Sequence, residues 1–146
     1  MHPRIQGDFG EMSGALWLTA QGAVVSKPIG HCPDYDLIAD FGDRICRVEV
    51  KTTARRTKLG RWCAQLCTHG GNQSWTGTTK LFEPARCDYV YVHVGDGRRW
   101  FLPSWALDGA RTVTLGGEKY SECEVAPGDP IPDRTQRMPG STIGSR

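Results

Sequence analysis

The residues with chemistry to offer gather between Asp34 and Thr53, a stretch that carries Asp34, Asp36, Glu49 and Lys51. From Ile45 to Thr52 the chain alternates with period two, the pattern of a half-buried strand. On such a strand Cys46, Val48 and Val50 share one face, and Arg47, Glu49 and Lys51 share the other. A carboxylate and an ammonium therefore stand side by side, about 7 Å apart along the strand at the usual rise per residue. Tyr35 to Phe41 is mostly apolar and supplies the mate, with Gly42-Asp43 as the turn. In an antiparallel hairpin the first strand runs back beside the second and brings Asp36 near Glu49 and Lys51. Two converging carboxylates repel each other, and a hard divalent cation between them relieves the repulsion. Mg²⁺ suits such a place, because it needs only one or two protein carboxylates, keeps several waters and takes up a substrate phosphate oxygen. A lysine beside it can assist the attacking water or neutralise charge developing on phosphate. The competing reading of the same residues is a solvated hairpin face with an ordinary ion pair.

Charge around this stretch points the same way. The formal net charge of +2 says little by itself, but from Val50 to Phe82 there is no Asp or Glu, while Lys51, Arg55, Arg56, Lys58, Arg61 and Lys80 are basic. A phosphodiester backbone selects that sign. Arg55, Arg56, Lys58 and Arg61 are accordingly candidate DNA contacts. The Gly/Ser/Thr/Asn-rich loop 70–79 adds Asn72 and Gln73, suited to base edges, and Trp75, suited to stacking or to folding back onto the core. His31 lies in the loop Lys27 to Pro33, where it can contact substrate or stand exposed.

At 146 residues the chain is long enough for one domain with a real core. No N-terminal apolar segment and no stretch of membrane-spanning length is visible, which predicts a cytosolic protein without a membrane partner. Six cysteines then read as reduced thiols rather than a disulfide framework, Cys46 as a small core residue. Cys63, Cys67 and His69 have the spacing C-x3-C-x-H and permit a zinc site, but no second CxxC knuckle accompanies them.

Several elements must position these groups. Residues 1–7 read as a frayed start. Met12, Ala15, Leu16 and Ala20 then form an apolar stripe at helical spacing, with Gly22 as the stop. Asp8 and Glu11 fit a capping box at the start of that helix, and Glu11 fits equally an ancillary carboxylate reaching toward the metal site. Short strands are expected at Ala23 to Val25 and from Arg61 to His69. Cys87 to Val94 reads as a buried strand with Val90, Val92 and Val94 on one face and Tyr89, Tyr91 and His93 on the other. Gly95-Asp-Gly97 turns it into Arg99 to Leu102, a short helix starts at Pro103, and Thr112 to Leu115 reads as a small edge strand. Residues 1–125 make the domain, and 126–146, rich in Pro, Gly, Ser and Arg, reads as a disordered or oligomer-contact tail.

Asp36 followed by Glu49-Val50-Lys51 resembles the PD-(D/E)xK nuclease signature. Gly10-Glu11, Tyr35-Asp36-Leu37-Ile38, Val48-Glu-Val-Lys-Thr52, Asp88-Tyr-Val-Tyr-Val92 and Trp100-Phe-Leu-Pro103 occur in an order that resembles group I intron-associated PD-(D/E)xK homing endonucleases and archaeal-type Holliday junction resolvases. The resemblance covers roughly residues 7–125. It implies an α/β fold with a restriction-endonuclease-like core, a mixed central sheet flanked by helices. It also implies a metal-dependent endodeoxyribonuclease, in which Asp36, Glu49 and the Val50 carbonyl bind Mg²⁺, with Mn²⁺ able to substitute. Lys51 would serve the attacking water or the developing charge, Glu11 would complete the site, and Gln65 falls where related enzymes place a polar active-site residue. Such enzymes cut DNA as homodimers or homotetramers in the cytoplasm of a prokaryotic cell or from a phage genome. The signature proline stands in Pro33-Asp34 rather than directly before Asp36, which leaves Asp34 as a rival ligand. The alternative function is a non-catalytic DNA-binding module on the same scaffold.

Overall fold

A computed structural model of the chain describes residues 2–69 and 79–132. The order of elements is α1 (Pro3–Ala20), β1 (Val24–Ser26), β2 (Leu37–Asp40), β3 (Ile45–Thr53), β4 (Trp62–Gln65), β5 (Thr68–His69), β6 (Thr79–Lys80), β7 (Tyr89–Val94), β8 (Arg99–Pro103), β9 (Thr112–Leu115) and β10 (Glu124–Val125), with short 3-10 turns at Pro84–Arg86, Ser104–Leu107 and Ser121–Cys123. Six strands form one sheet in the order β1-β2-β3-β7-β8-β10. Within it β3 and β7 pair in parallel, Glu49 beside Val90 and Lys51 beside Val92, whereas β1–β2, β2–β3, β7–β8 and β8–β10 are antiparallel.

Alternation along the central strands gives the sheet two cores. On one face α1 buries Leu18 against Leu37, Ala39, Cys46, Val48 and Tyr91. On the other, Val90, Val92, Val94, Trp100 and Leu102 meet Trp62, Ala64, Leu66, Val113 and Leu115. The last five belong to β4, β9 and their flanks, which pair with each other as a separate two-stranded sheet. The expected α/β fold with a mixed central sheet is therefore present, but the expected flanking helices reduce, among the described residues, to α1 and the 3-10 turns. The two valine and aromatic faces of β7 divide as the alternation requires.

Three expectations are corrected. The chain start is helical rather than frayed: Pro3 sits at the first turn, where its missing N–H is no loss, and His2 Nδ1 accepts from the Arg4 amide at 3.2 Å. Asp8 and Glu11 consequently lie within the helix, so they form no capping box. The expected strand from Arg61 to His69 is broken after Gln65, because the Leu66 and Cys67 amides both donate to the Arg111 carbonyl. Finally, the expected tail begins at residue 126, yet 126–132 run along the β7–β8 turn: Gly128 N donates to Gly97 O at 2.8 Å and Ile131 N to Gly95 O at 3.0 Å. Residues 133–146 lie outside the described residues. All six cysteines are free thiols.

α1 ends where Gly22 takes a φ of +98°, a conformation open to glycine. Its approach to the sheet depends on another glycine, Gly10, where any Cβ would overlap Thr52 Oγ1 of β3. Gln6 Nε2 donates to the Thr52 carbonyl at 3.2 Å and fastens the same contact.

Candidate active site

Asp36 stands one residue before β2 and extends its ladder, donating its amide to Val48 O at 3.0 Å. The register Leu37 to Val48 puts Asp36 across from Glu49. Its carboxylate turns over the neighbouring strand, and Oδ2 accepts the Val50 amide at 2.7 Å. The Asp36 carboxyl is held above the usual range, chiefly because burial disfavours its charge and further because Glu11 and Glu49 repel it; the Val50 hydrogen bond and Lys51 pull the other way. Carboxylates from α1 and β3 thus both bear on the one at the start of β2.

Glu49 is buried, at 5% exposure. Its Oε1 pairs with Lys51 Nζ at 3.1 Å, as the shared strand face requires. Its Oε2 is buried and has no hydrogen-bond partner among the described residues. Such an oxygen is expensive to leave unsatisfied and is the place a cation would take up. Cys87 walls the inner side: its thiol is pushed up to about 12, first by burial and next by the Glu49 charge, so it remains neutral. The donor set of Asp36 and Glu49 carboxylates is all oxygen and fits a hard divalent ion. Among the described residues no three His, Cys, Asp or Glu side chains are gathered closely enough to hold a metal ion between them.

Glu11 reaches the site from α1, held there by the close Gly10–Thr52 contact, and pairs with Lys27 Nζ at 3.1 Å. Lys27 escaped the sequence reading. The signal that carries it is the β1–β2 register, Ser26 opposite Ile38, which sets the next residue of β1 beside the start of β2. Asp34, the rival ligand, is turned away to Arg86, Oδ1 lying 3.3 Å from Nε.

Beyond Lys51 a cleft of about 230 Å³ is lined by Lys51, Thr52, Thr53, Arg55, Ala64 and Gln65 among others. Gln65 is thereby in the same cleft as Lys51, with its Nε2 3.4 Å from Cys67 Sγ. Thr53 Oγ1 donates to Cys63 O at 2.9 Å and accepts the Arg55 amide at 3.1 Å, which fixes where Arg55 leaves the strand. The basic segment is more tethered than a polar loop. Arg56 lies over the Trp62 ring at 3.9 Å and Arg61 Nη1 donates to Gly116 O at 2.6 Å, while Lys58 is exposed in the intervening turn. Asn72, Gln73 and Trp75 lie outside the described residues, as does the side chain of His69; of the other two suggested zinc ligands, Cys63 is buried and Cys67 half-buried. His31 is exposed. No described helix is long and apolar enough to cross a membrane.

A second polar cluster on the α1 side went unread in the sequence. Ser13 Oγ lies 2.7 Å from both Tyr91 Oη and His93 Nδ1, and His93 Nε2 lies 2.8 Å from the Asp129 carbonyl. Because a carbonyl only accepts, Nε2 carries the proton and the neutral ring accepts from Ser13 at Nδ1.

By structure the chain is similar to the bacterial homing endonuclease I-Ssp6803I, with 18% identity and a TM-score of 0.69 over 99% of this chain and 88% of that one. It is also similar to Hjc, a Holliday junction resolvase from Archaeoglobus fulgidus, with 14% identity and a TM-score of 0.53 over 82% of this chain and 90% of that one. No curated protein matches it significantly by sequence. The sequence profile of the PD-(D/E)XK endonuclease family matches residues 1–104, and the chain belongs to that family.

Proposed function

We propose that the protein is a divalent-metal-dependent DNA endonuclease, using Mg²⁺ with Mn²⁺ as a substitute. The observation that carries the reading is the buried, unpartnered Oε2 of Glu49, in a site it shares with Asp36 and Lys51. Asp36 and Glu49 hold the ion, with the Val50 carbonyl as a further oxygen. When bound, the ion supplies charge neutralisation at the phosphate and a water acidified for attack. Lys51, oriented by Glu49 Oε1, places an ammonium where charge develops on the phosphate during in-line displacement. Glu11 adds negative charge at the mouth, which favours the cation. Arg55 and Lys51 line the cleft beside the site, and Arg56, Lys58 and Arg61 continue the basic surface for the phosphodiester backbone.

The test is cleavage of labelled linear duplex, supercoiled plasmid and a four-way junction with Mg²⁺ or with EDTA. Metal-dependent cutting that disappears in Lys51→Ala supports the reading. The preferred substrate then separates a homing endonuclease, as the first structural neighbour is named, from a Holliday junction resolvase, as the second is. Binding on every substrate with cutting on none overturns the enzyme and leaves the DNA-binding module.

A further inference from the structure

The candidate site contains a cation of its own that the proposed chemistry does not use. Lys27 leaves the end of β1 and sets Nζ 3.1 Å from Glu11 Oε1; the Lys27 side chain is 61% exposed and that of Glu11 25%. Both residues line a cleft of about 400 Å³ together with Asp8, Met12, Val25 and Leu37. Glu11 also bears on Asp36, whose carboxyl its charge helps to raise. The carboxylate that would complete a metal site therefore already has a counter-ion. An ion pair whose lysine is largely exposed is weak, so a divalent ion can displace it. Once displaced, the ammonium stays near Glu11 on a flexible, largely exposed stem.

We propose that Lys27 is an exchangeable counter-ion: it holds Glu11 until the metal binds, and then swings to a phosphate of the DNA backbone on the Glu11 side of the scissile bond. This rests on the metal-dependent nuclease reading above. It predicts effects of opposite sign. Removing the ammonium frees Glu11 and removes a repelling charge, so the metal binds more tightly; it also removes one phosphate contact, so DNA binds more weakly. A lysine with a merely structural role moves both in one direction or neither.

The experiment measures Mn²⁺ affinity by calorimetry on the full chain without DNA, and duplex affinity at several salt concentrations with Ca²⁺ in place of Mg²⁺, for the wild type, Lys27→Met, Lys27→Arg and Glu49→Gln. The expected result for Lys27→Met is Mn²⁺ binding about two- to five-fold tighter, with duplex binding weaker and the slope of log affinity against log salt lower by about 0.9. Lys27→Arg, which keeps the charge, stays near wild type in both. Mn²⁺ affinity unchanged or reduced in Lys27→Met overturns the exchange, and an unchanged salt slope overturns the phosphate contact. Glu49→Gln separates the two levels. If it leaves Mn²⁺ binding intact, the metal site itself is misplaced, whatever Lys27 does.

Discussion

Within the candidate site two neighbouring side chains carry different loads. Glu49 has one oxygen satisfied by Lys51 and one buried without a partner among the described residues, so on the reading proposed above it serves both as a ligand and as the group that aims the ammonium. Glu49→Gln is expected to abolish metal-dependent cutting, and Lys51→Ala to lower it by about 10²–10⁴-fold while leaving duplex binding at low salt within a few-fold; single-turnover cleavage beside a binding titration checks both. Asp36 gives a prediction of opposite sign for stability. Its carboxyl is raised by burial first, then by Glu11 and Glu49, so the folded state holds the proton more tightly than the unfolded chain does. Stability is therefore lost as pH rises from the ordinary carboxylate value of 3.8 through the folded one. Asp36→Asn removes that penalty and keeps an acceptor for the Val50 amide. In metal-free buffer it melts higher than wild type at pH 8, with the gap closing toward pH 4, and it does not cleave. That Asp36, Glu49 and Lys51 lie side by side was legible because strand alternation and the hairpin register fix which side chains share a face. Lys27 was not, since its place depends on the pairing of a three-residue strand.

The elements show which local signals decide structure and which yield to packing. α1 carries Gly7, Gly10 and Gly14, and glycine inside a helix argues for a break. Here tertiary contact overrides propensity: the missing side chain at Gly10 lets the helix lie directly on Thr52, and that contact delivers Glu11. Gly10→Ala should destabilise the fold by about 1–3 kcal/mol through overpacking, and Thr52→Ala in the same chain should recover part of the loss, a non-additivity that melting curves of the single and double variants measure. The strap 126–132 makes a second case. Its composition of Pro and Gly reads as disorder, but the residues that anchor it, Gly95, Gly97, His93 and Arg99, lie about thirty positions earlier: Arg99 Nε donates to Ala126 O at 2.9 Å and His93 meets Asp129. Burial lowers the His93 pKa. The unfolded chain then gains a proton that the folded state refuses, so stability is full above about pH 6.5 and is lost as pH falls below it, by at most about 1.36 kcal/mol per pH unit. His93→Phe should cost about 1–3 kcal/mol at pH 7.5 and flatten the His-dependent part of the decline between pH 7 and 5, which thermal melts across that range would detect.

For the molecule as a whole, hairpins were readable and the crossover was not. β2–β3 and β7–β8 each join neighbours in sequence across a glycine turn, whereas the parallel β3–β7 pair is closed by the long excursion through β4, β5 and β6, and nothing local in either strand names its partner. That excursion places the basic segment and the Lys51–Arg55 cleft on one side of the site. On the proposed reading each chain carries one set of Glu11, Asp36, Glu49 and Lys51, and one such set would hydrolyse one strand at a time. Cutting both strands of a duplex without releasing it therefore calls for a second copy, which we expect to come from a homodimer or homotetramer. Light scattering of the protein with a non-cleaved duplex in Ca²⁺ should give a mass of at least two chains. On supercoiled plasmid with excess enzyme, the assembled form converts circles to linear product with little nicked intermediate. Mixing wild type with Lys51→Ala should shift the product toward nicked circles, because half of the sites in a mixed assembly are silent. A strict monomer on DNA, with nicked circles accumulating even for the pure wild type, would mean that each copy acts alone and that the enzyme is a nicking one.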